Sequence, residues 1–320
     1  MGAFDTLCGD VTNLTFHSHQ EMIELALLWQ VQEFQLSNGS FSGSIQTIHT
    51  SHIQMASVIR SKGFFVKGRI PRKTYTFTSV VSEGKTTHNG LIVHPDELIL
   101  LTRNDDIDFI VSSSEDEVTL AIDKVFFDSE YKKYFNQPFE YDSIHKRLQL
   151  KENAVEKFRA SVKNLISKLI LHNEQIKGDL EFHDYAEDEI LKIIFDSIDP
   201  SKERKTILDS HILANEVRNY IEENYNKNIS LSELYRSKNL PDRTIRLAFN
   251  DLFGFPPKQY LKQFRLGKIH HELMMSNPTS VTVSNIASKH GFRHMGRFTE
   301  SYKSMFLTTP YQTLKRNFIF

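Results

Sequence analysis

The stretch TIRLAFNDLFGFPP, residues 244–257, decides how the C-terminal part of the chain folds. Its bulky residues Ile245, Phe249 and Phe253 recur at every fourth position, a spacing that places them on one face of a helix. The polar residues between them are then left on the outer face. Pro257 follows Phe253 by the same step and predicts a turn, because the proline ring clashes with a continuing helix.

The same pattern returns in RFTESYKSMFLTTP, residues 297–310. Phe298, Tyr302, Phe306 and Pro310 occupy the matching steps of this second copy. Self-similarity of this kind indicates an internal repeat, so we expect two amphipathic helices of similar construction.

A shorter helical pattern precedes each copy, at residues 229–235 and 283–287, and is followed by a break. Ser230 and Glu233 have the spacing of a capping box, and Ser284 is expected to cap the second short helix. A short helix, a tight turn and a second amphipathic helix form a helix-turn-helix. Two copies in register favour DNA binding over an ordinary helical domain that happens to repeat.

Residues 211–318 resemble the DNA-binding domain of the AraC/XylS family of bacterial transcription regulators. The resemblance rests on the motifs PDRTIRLAF (241–249), FGFPPKQYL (253–261), RLGKI (265–269), IASKHGF (286–292) and PYQTLK (310–315). It implies two helix-turn-helix units joined by a connecting helix at about residues 257–275. It also implies promoter DNA, RNA polymerase and a second copy of the chain as partners, with activation and repression both left open.

The distribution of charge agrees with a DNA-binding module. From Asn215 onward the chain has 16 Lys and Arg against 8 Asp and Glu, whereas the preceding residues hold 23 against 32. The formal net charge of −1 therefore combines a basic C-terminal part with an acidic N-terminal part. A phosphate backbone favours basic charge on a helix-turn-helix.

Composition limits the class of protein further. A length of 320 residues is enough for two domains with separate cores. The single cysteine, Cys8, excludes an internal disulfide and fits a reducing compartment. The most apolar short stretch, residues 23–29, is too short to span a membrane, and the N-terminus lacks the zones of a signal peptide. We therefore expect a soluble, cytoplasmic protein.

The first twenty residues are polar, and we expect them to be loosely held. Short predicted strands separated by turn residues fill the region from Phe41 to Asp123. Eight strands at this spacing indicate a small barrel or jelly roll, and the family resemblance implies a cupin-like barrel. The predicted strands are Gly43–Ile48, Ile53–Arg60, Phe64–Lys67, Tyr75–Val81, Gly90–Val93, Glu97–Leu101, Asp108–Val111 and Val118–Asp123.

Helical periodicity replaces the strand pattern after the barrel, with apolar faces beginning at Ala154 and at Ile190. Their faces either form a dimer contact, as in many relatives, or cover the open side of the barrel. We predict an α+β protein with a regulatory and dimerisation domain at 1–198, a linker at 199–210 and a DNA-binding domain at 211–320.

The second helix of each unit should meet base edges in the major groove. Arg243, Thr244, Arg246 and Asn250 point outward in the first unit, and Leu247 replaces a basic residue that is common in relatives. Outward positions of the second unit are His294, Met295, Gly296, Arg297, Thr299, Glu300 and Lys303. Because Gly296 and Glu300 depart from the polar or basic residues usual there, we expect this unit to read bases weakly. Candidate phosphate contacts are Lys258, Lys262, Lys289, Arg293 and Lys315, with solvated surface as the alternative for each.

The sequence shows no catalytic constellation, so we predict neither an enzyme nor a cofactor. Pairs of histidines occur at His17 and His19 and at His49 and His52, but a catalytic cupin needs about three His and a carboxylate. His88 and His94 are the further candidates within the strands. Two alternatives stay open, which are a metal-dependent cupin enzyme fused to a DNA-binding module and a regulator that responds to no effector.

Alternation of apolar and polar residues predicts which side chains point into the barrel. The expected inward set is Ile53, Met55, Val58, Phe65, Tyr75, Phe77, Leu91, Val93, Leu98 and Leu100. This set has few ionisable groups, so we expect a mainly apolar pocket for a small organic or lipid-like effector. Packed side chains that fill the barrel are the alternative.

Overall fold

The computed structural model describes residues 4, 7–18, 21–22, 24, 29–102, 106–139, 147–148, 153–172, 180–198, 209–227, 229–237 and 241–316. Two antiparallel sheets, with helices against one of them, form the N-terminal part, and helices form the C-terminal part. The protein is therefore of the α+β class, as predicted. Residues 199–208 of the expected linker lie outside the described residues, and residues 209–210 begin a helix.

The larger sheet has seven strands in the order β1-β3-β4-β11-β6-β9-β12, and its neighbours are antiparallel. Nearly every residue of its long central strands is buried, so both faces of this sheet are covered. Its strands are β1 (Val11–Phe16), β3 (Gly43–His49), β4 (Ile53–Arg60), β6 (Thr74–Ser82), β9 (Leu98–Leu101), β11 (Glu115–Asp123) and β12 (Arg147–Leu148).

The smaller sheet has five strands in the order β2-β5-β10-β7-β8. It faces the larger sheet across a cavity to which both sheets contribute side chains. Its strands are β2 (Gln30–Gln35), β5 (Phe64–Arg69), β7 (Thr86–His88), β8 (Leu91–Ile92) and β10 (Asp106–Val111). Among the described residues no ladder joins the two sheets, so the observed arrangement is a sandwich of two sheets and not a closed barrel, the first of the two predicted alternatives.

All eight predicted strands are present, with ends shifted by a few residues. The expectation of a loose N-terminus is wrong, because β1 pairs with β3 along its whole length, from Val11 opposite Ile48 to Phe16 opposite Gly43. Phe16 is buried in a small apolar cluster with Phe41 and Val58. The short strands β2, β7 and β12 carried no strand prediction.

Three helices cover the outer face of the larger sheet: α1 (Lys124–Phe135), α2 (Ala154–Leu171) and α3 (Leu180–Ser197). The carboxylate of Asp123 starts α1 by accepting the amide of Val125 at 2.9 Å. The apolar faces of α2 and α3 are buried in one cluster with the outward side chains of the sheet, such as Phe77 and Leu120. Within this chain both helices therefore cover the sandwich.

Seven further helices follow in the described residues of the C-terminal part. The first, α4, packs against α6 and α7. Helices α5 and α6 form one pair and α8 and α9 a second pair, with α7 between the pairs and α10 after them. They are α4 (Asp209–Asn224), α5 (Leu231–Ser237), α6 (Asp242–Phe253), α7 (Pro257–Met275), α8 (Val283–Lys289), α9 (Met295–Phe306) and α10 (Pro310–Arg316).

Candidate DNA-binding surface and ligand cavity

Helix α6 confirms the first amphipathic pattern. Ile245, Phe249 and Phe253 are fully buried, and Pro257 begins the next helix at a position where its missing amide costs no hydrogen bond. The chain turns at Gly254, which adopts the left-handed conformation with φ 80° and donates its amide to the carbonyl of Asn250 at 2.9 Å.

Helix α9 repeats this construction with one difference. Phe298 and Tyr302 are fully buried, and Phe306 is half-buried. Leu307 takes the place of Gly254 and caps the helix with φ 52°, donating its amide to Lys303 at 2.9 Å. A leucine in the left-handed region is strained, because its Cβ approaches the backbone in a way that glycine avoids.

The short helices α5 and α8 begin with hydroxyl caps. The amide of Glu233 donates to the Ser230 hydroxyl at 3.3 Å, which confirms this half of the predicted capping box. The cap of α8 is Thr282, which accepts the amide of Asn285 at 3.2 Å, so the assignment of Ser284 is wrong. Ser284 lies two residues further along, inside the first turn of the helix, where the chain already has helical geometry.

Helix α7 joins the two units by contributing to both cores. Tyr260, Leu261 and Phe264 in its first half are buried against α4 and α6. Leu266, Ile269 and Leu273 in its second half are buried with α8 and α9. A single helix of 19 residues therefore sets the distance and orientation between the two recognition helices.

The predicted base-reading side chains lie on the outer faces of α6 and α9. Arg243, Thr244, Arg246, Leu247 and Asn250 are exposed on α6. Along α9 and its N-terminal flank, His294, Gly296, Arg297, Glu300 and Lys303 are exposed, and Met295 and Thr299 are half-buried. A Cβ at Gly296 would meet no atom within 4 Å, so this outer face is open at that position.

The candidate phosphate contacts differ in their surroundings. Lys258, Lys262 and Arg293 are exposed. Lys289 donates to both oxygens of Glu272 at 2.9 and 3.0 Å, and Lys315 lies over the Tyr311 ring at 4.7 Å. Lys289 would have to leave Glu272 before it could bind a phosphate.

Comparisons with known proteins assign this helical part. A sequence profile described as a helix-turn-helix domain matches residues 236–316. The XylDLEGF operon transcriptional activator 1 of Pseudomonas putida is 36% identical over 97 residues, which cover 30% of this chain and 29% of that protein. A probable AraC family transcriptional regulator from Rhodopseudomonas palustris CGA009, known as a crystal structure, is 31% identical over 33% of this chain and 97% of that one, with a TM-score of 0.31.

This chain belongs to the AraC/XylS family of transcription regulators. Similarity to a third AraC/XylS protein, the XylDLEGF operon transcriptional activator 3 of Pseudomonas putida, extends over 223 residues at 25% identity. That match covers 69% of this chain and 66% of the activator, so it continues beyond the helix-turn-helix units. The two activators are each matched over less than two thirds of their own length.

The smaller sheet of this AraC/XylS protein packs directly on the helix-turn-helix domain. Phe34, Phe65 and Ile110 belong to one buried cluster with the core of the first unit. Phe34 meets α7 at Gly267, where a Cβ would overlap the phenylalanine ring. Lys268, the next residue of α7, donates to Gln32 of β2 at 2.7 Å. We call this set of contacts the interdomain surface.

Polar contacts extend the interdomain surface to the C-terminal ends of both recognition helices. The carbonyl of Met305 in α9 accepts the side-chain amide of Gln35 and the backbone amide of Gly39, each at 3.0 Å. At the end of α6, Lys85 lies 3.8 Å from the carboxylate of Asp251. The sandwich therefore contacts both units on the side away from their exposed recognition faces.

A cavity of about 110 Å³ lies between the two sheets. Most of its lining is apolar, as predicted for the pocket, with side chains such as Val31, Val58 and Phe109. The predicted inward set is wrong except for Val58, which lines the cavity, and Val93, which is buried between the sheets with Phe64, Val66 and Phe109. Ile53, Met55, Tyr75, Phe77, Leu98 and Leu100 point outward under the helices, Phe65 faces the helix-turn-helix domain, and Leu91 does not line the cavity.

One end of the cavity holds a buried ionic cluster that the sequence did not predict. Arg60 donates from Nε and Nη2 to the two oxygens of Glu33 at 3.1 and 3.2 Å. Its Nη1 donates to Glu115 and, at 2.7 Å, to Glu117. Burial lowers the pKa of Arg60, but the three carboxylates outweigh this effect and raise the pKa above its ordinary value.

The histidines do not form a metal site in the part of the chain that the structure describes. No group of three or more His, Cys, Asp and Glu side chains there is arranged to hold a metal ion. His49 and His88 are buried, His52 contacts Glu187 at 2.9 Å, and His19 lies outside the described residues. In the same part of the chain, no helix combines the length and apolarity needed to cross a membrane.

Proposed function

We propose that this protein is a sequence-specific transcription regulator in which the sandwich is a cupin-like effector domain that controls two recognition helices. The proposed base contacts come from Arg243, Thr244, Arg246 and Asn250 in the first unit. In the second unit they come from His294, Met295, Arg297, Thr299 and Lys303, while Lys258, Lys262 and Arg293 bind phosphates. The exposure of these side chains, other than the half-buried Met295 and Thr299, and the basic charge of the domain support this assignment.

The observation that carries the regulatory part is the alternation of side chains in β2, β5 and β10. One face of these strands lines the cavity with Val31 and Glu33, Phe64 and Val66, and Ile107 and Phe109. The opposite face presents Phe34, Phe65 and Ile110 to the helix-turn-helix domain. Successive residues of one strand point to opposite faces, so a single peptide unit separates the two environments.

This arrangement lets an effector act on DNA binding through a mechanical connection. A molecule that enters the cavity and moves these strands also moves the surface on which α4 and α7 rest. The helix-turn-helix domain then has two arrangements, before and after the strands move. The molecule shifts the equilibrium between them only by the difference in its affinity for the two arrangements. We further propose that the chain acts in the cytoplasm as a homodimer and that RNA polymerase is its partner at the promoter.

The experiment is a selection of binding sites by the full-length protein from a pool of random DNA duplexes. We expect enrichment of two short elements about 10 base pairs apart, because two recognition helices in successive major grooves are separated by one helical turn. The Arg246→Ala variant should lose base preference in one element. Lys192→Ala, which removes an exposed positive charge from the sandwich helices, is the matched control. A pool without enrichment would contradict sequence-specific binding.

A further inference from the structure

At the ionic end of the cavity, carboxyl groups already accept hydrogen bonds from most of the Arg60 guanidinium. All three nitrogens of the Arg60 guanidinium donate to carboxylates, two to Glu33 and one to Glu115 and Glu117. The Arg60 side chain is 8% exposed, and the guanidinium also lies 4.5 Å from the centroid of the Phe64 ring. These four hydrogen bonds leave an incoming anion at most one N–H of Nη2, which lies beside the carboxylate of Glu33.

The same cluster has more negative than positive charge. At the Nη1 nitrogen of Arg60, the carboxyl groups of Glu115 and Glu117 share one guanidinium, and the Glu115 side chain is 1% exposed. Burial raises the pKa of Glu115 well above its usual range, and the nearby Glu117 and Glu33 raise it further against the effect of Arg60. A buried cluster with surplus negative charge is stabilised either by taking up a proton or by gaining a second cation.

The opposite end of the cavity has a polar group that lacks a partner. Register across β4, β11 and β6 places Arg60 beside Glu115 at one end, and Gln54 and Thr76 on either side of Ala121 at the other. The Thr76 hydroxyl is fully buried and has no hydrogen-bond partner in the described part of the chain. A buried hydroxyl without a partner is costly, so a ligand that reached it would gain a hydrogen bond.

We propose that this cavity binds a small organic cation, a primary amine carried on one ring or a short branched apolar body. Its ammonium group would lie against the carboxylates of Glu115 and Glu117, and its body would lie among Val58, Val66 and Phe109. The proposal rests on the effector-domain function above and names the chemical class of the effector. The cavity volume of about 110 Å³ is smaller than the roughly 150 Å³ of an apolar cavity that binds benzene, so the apolar body can be no larger than one ring.

Charge decides between the amine and its neutral and acidic counterparts. An ammonium adds a charge-assisted hydrogen bond to a carboxylate, which contributes more than a neutral bond in a buried site. An alcohol of the same shape makes only the neutral bond. A carboxylic acid brings a further negative charge next to Glu115 and Glu117 and meets at most one unused guanidinium N–H.

The test is calorimetric titration of the full-length protein with benzylamine, benzyl alcohol and benzoate, which share one ring and differ in charge. We expect benzylamine to bind at least about tenfold more tightly than benzyl alcohol, because a hydrogen bond between charged groups stabilises a complex more than a neutral one does. Benzoate should bind most weakly. Preference for benzoate, equal binding of all three, or binding of none would overturn the proposal.

Two variants and a control locate the charge. Glu117→Gln removes a carboxylate whose side chain is 22% exposed, and Glu115→Gln removes one that is buried. Each should reduce the preference for benzylamine over benzyl alcohol about tenfold. Glu181→Gln, an exposed change on α3, should leave the preference as it is. If both cavity variants kept the full preference while remaining folded, the amine would not lie where we place it.

DNA binding provides a separate readout. If benzylamine binds the cavity and changes the affinity for the selected DNA site, the ligand class and the regulatory function are both supported. Binding that leaves DNA affinity unchanged would support the ligand class and contradict the regulatory coupling. If benzoate rather than benzylamine binds and changes DNA affinity, the coupling is supported and the ligand class is overturned.

Discussion

Arg218 in α4 forms a buried ion pair with Asp108 in β10, and this pair joins the helix-turn-helix domain to the sandwich. Arg218 Nε also lies 3.0 Å from Glu222, one turn further along α4. Burial lowers the pKa of Arg218, but Glu222 and Asp108 outweigh it and raise the pKa. Asp108 lies on a strand whose neighbouring residues line the cavity, so the pair is part of the connection between cavity and DNA-binding domain.

We expect Arg218→Met to reduce the free energy of unfolding by about 3 kcal/mol, because Asp108 and Glu222 lose their buried cation and keep only the half-exposed Lys67, at 3.9 and 3.5 Å. Chemical denaturation of the full chain measures this change. The double variant with Asp108→Asn should recover part of the loss, since the unpaired charge on β10 is then also removed. Additive losses in the double variant would show that the pair contributes no interaction energy.

Gly267 provides a test of the apolar part of the interdomain surface. Gly267→Ala should destabilise the chain by about 1–3 kcal/mol, because the new methyl group overlaps the Phe34 ring. Adding Phe34→Ala should make the glycine substitution almost neutral, so the two effects should not be additive. Thermal and chemical unfolding of the full chain measure both.

Gly296→Ala is the matched control, because a Cβ at Gly296 meets nothing within 4 Å. Alanine is the better helix former, so this change should be neutral or stabilise the chain by up to about 1 kcal/mol. Equal destabilisation by the two glycine substitutions would contradict the contact between Phe34 and α7.

The repeat was predictable because its signals are local. The spacing of Ile245, Phe249 and Phe253 and the proline after them specify helix, face and turn within one short segment. The matching positions in the second copy specify helix, face and turn for the same physical reasons. The cap of α8 was misplaced because Thr282 and Ser284 are both hydroxyl residues at the start of one pattern, and only the backbone conformation distinguishes them.

The sandwich was predictable only in its strands. In β4, Ile53 and Met55 alternate with Gln54, Ala56 and Val58, and the prediction assigned Ile53 and Met55 to the interior together with Val58, although Val58 lies on the opposite face. Helices cover the outer face of this sheet, so the more apolar set is the outer one. An alternating pattern specifies two faces but not which of them meets the cavity, because both are buried here.

The ionic cluster could not be found from spacing. Arg60 and Glu115 come from strands far apart in sequence that pair within the larger sheet, and Glu33 joins them only because the smaller sheet faces it. Each of these residues alone is typical of an exposed surface. The same limit applies to the interdomain surface, where Phe34 and Gly267 are distant in sequence.

Leu307 provides a further test of the repeat. It occupies the left-handed capping position that Gly254 occupies in the first unit, and its side chain is largely exposed. Leu307→Gly should therefore stabilise the chain by about 1 kcal/mol through relief of backbone strain, an effect offset in part by the greater freedom of glycine in the unfolded chain. The midpoint of chemical denaturation measures it. Destabilisation would indicate that the leucine side chain contributes more than its strained backbone costs.

Stability should depend on pH through three histidines. Burial is the main reason why the pKa values of His49, His271 and His290 lie below the usual 6.5, although Glu272 raises that of His290. Below that pH the unfolded chain takes up protons more readily than the folded chain, so unfolding becomes more favourable. We expect the free energy of unfolding to fall as the pH decreases from about 7 to about 5.

Denaturation at a series of pH values measures this slope. Glu115 acts in the opposite direction, because its raised pKa makes the folded chain take up a proton first. His271→Gln removes one imidazole, so the free energy of unfolding of this variant should depend less steeply on pH. The difference in slope between this variant and the unmodified chain reports on a histidine and not on Glu115. An unchanged slope in this variant would contradict the lowered pKa of His271.

The two recognition helices should contribute differently to DNA binding. Arg246 is exposed on the outer face of α6, where a guanidinium can donate two hydrogen bonds to guanine. Arg246→Ala should cost about 1–3 kcal/mol on the selected site and flatten base preference at one position. Lys262→Ala on α7 should weaken binding to all sequences about equally and reduce its dependence on salt, because it removes a phosphate contact.

Glu300 tests whether the second unit is the weaker reader of bases. Its carboxylate is exposed on the outer face of α9 and would be repelled by nearby phosphates. Glu300→Ala should therefore leave specific binding unchanged and tighten binding to unrelated DNA, measured as Kd at several salt concentrations. A carboxylate can also accept a hydrogen bond from the amino group of cytosine. If Glu300→Ala abolished preference at one base pair, α9 would read that base and the two units would share recognition.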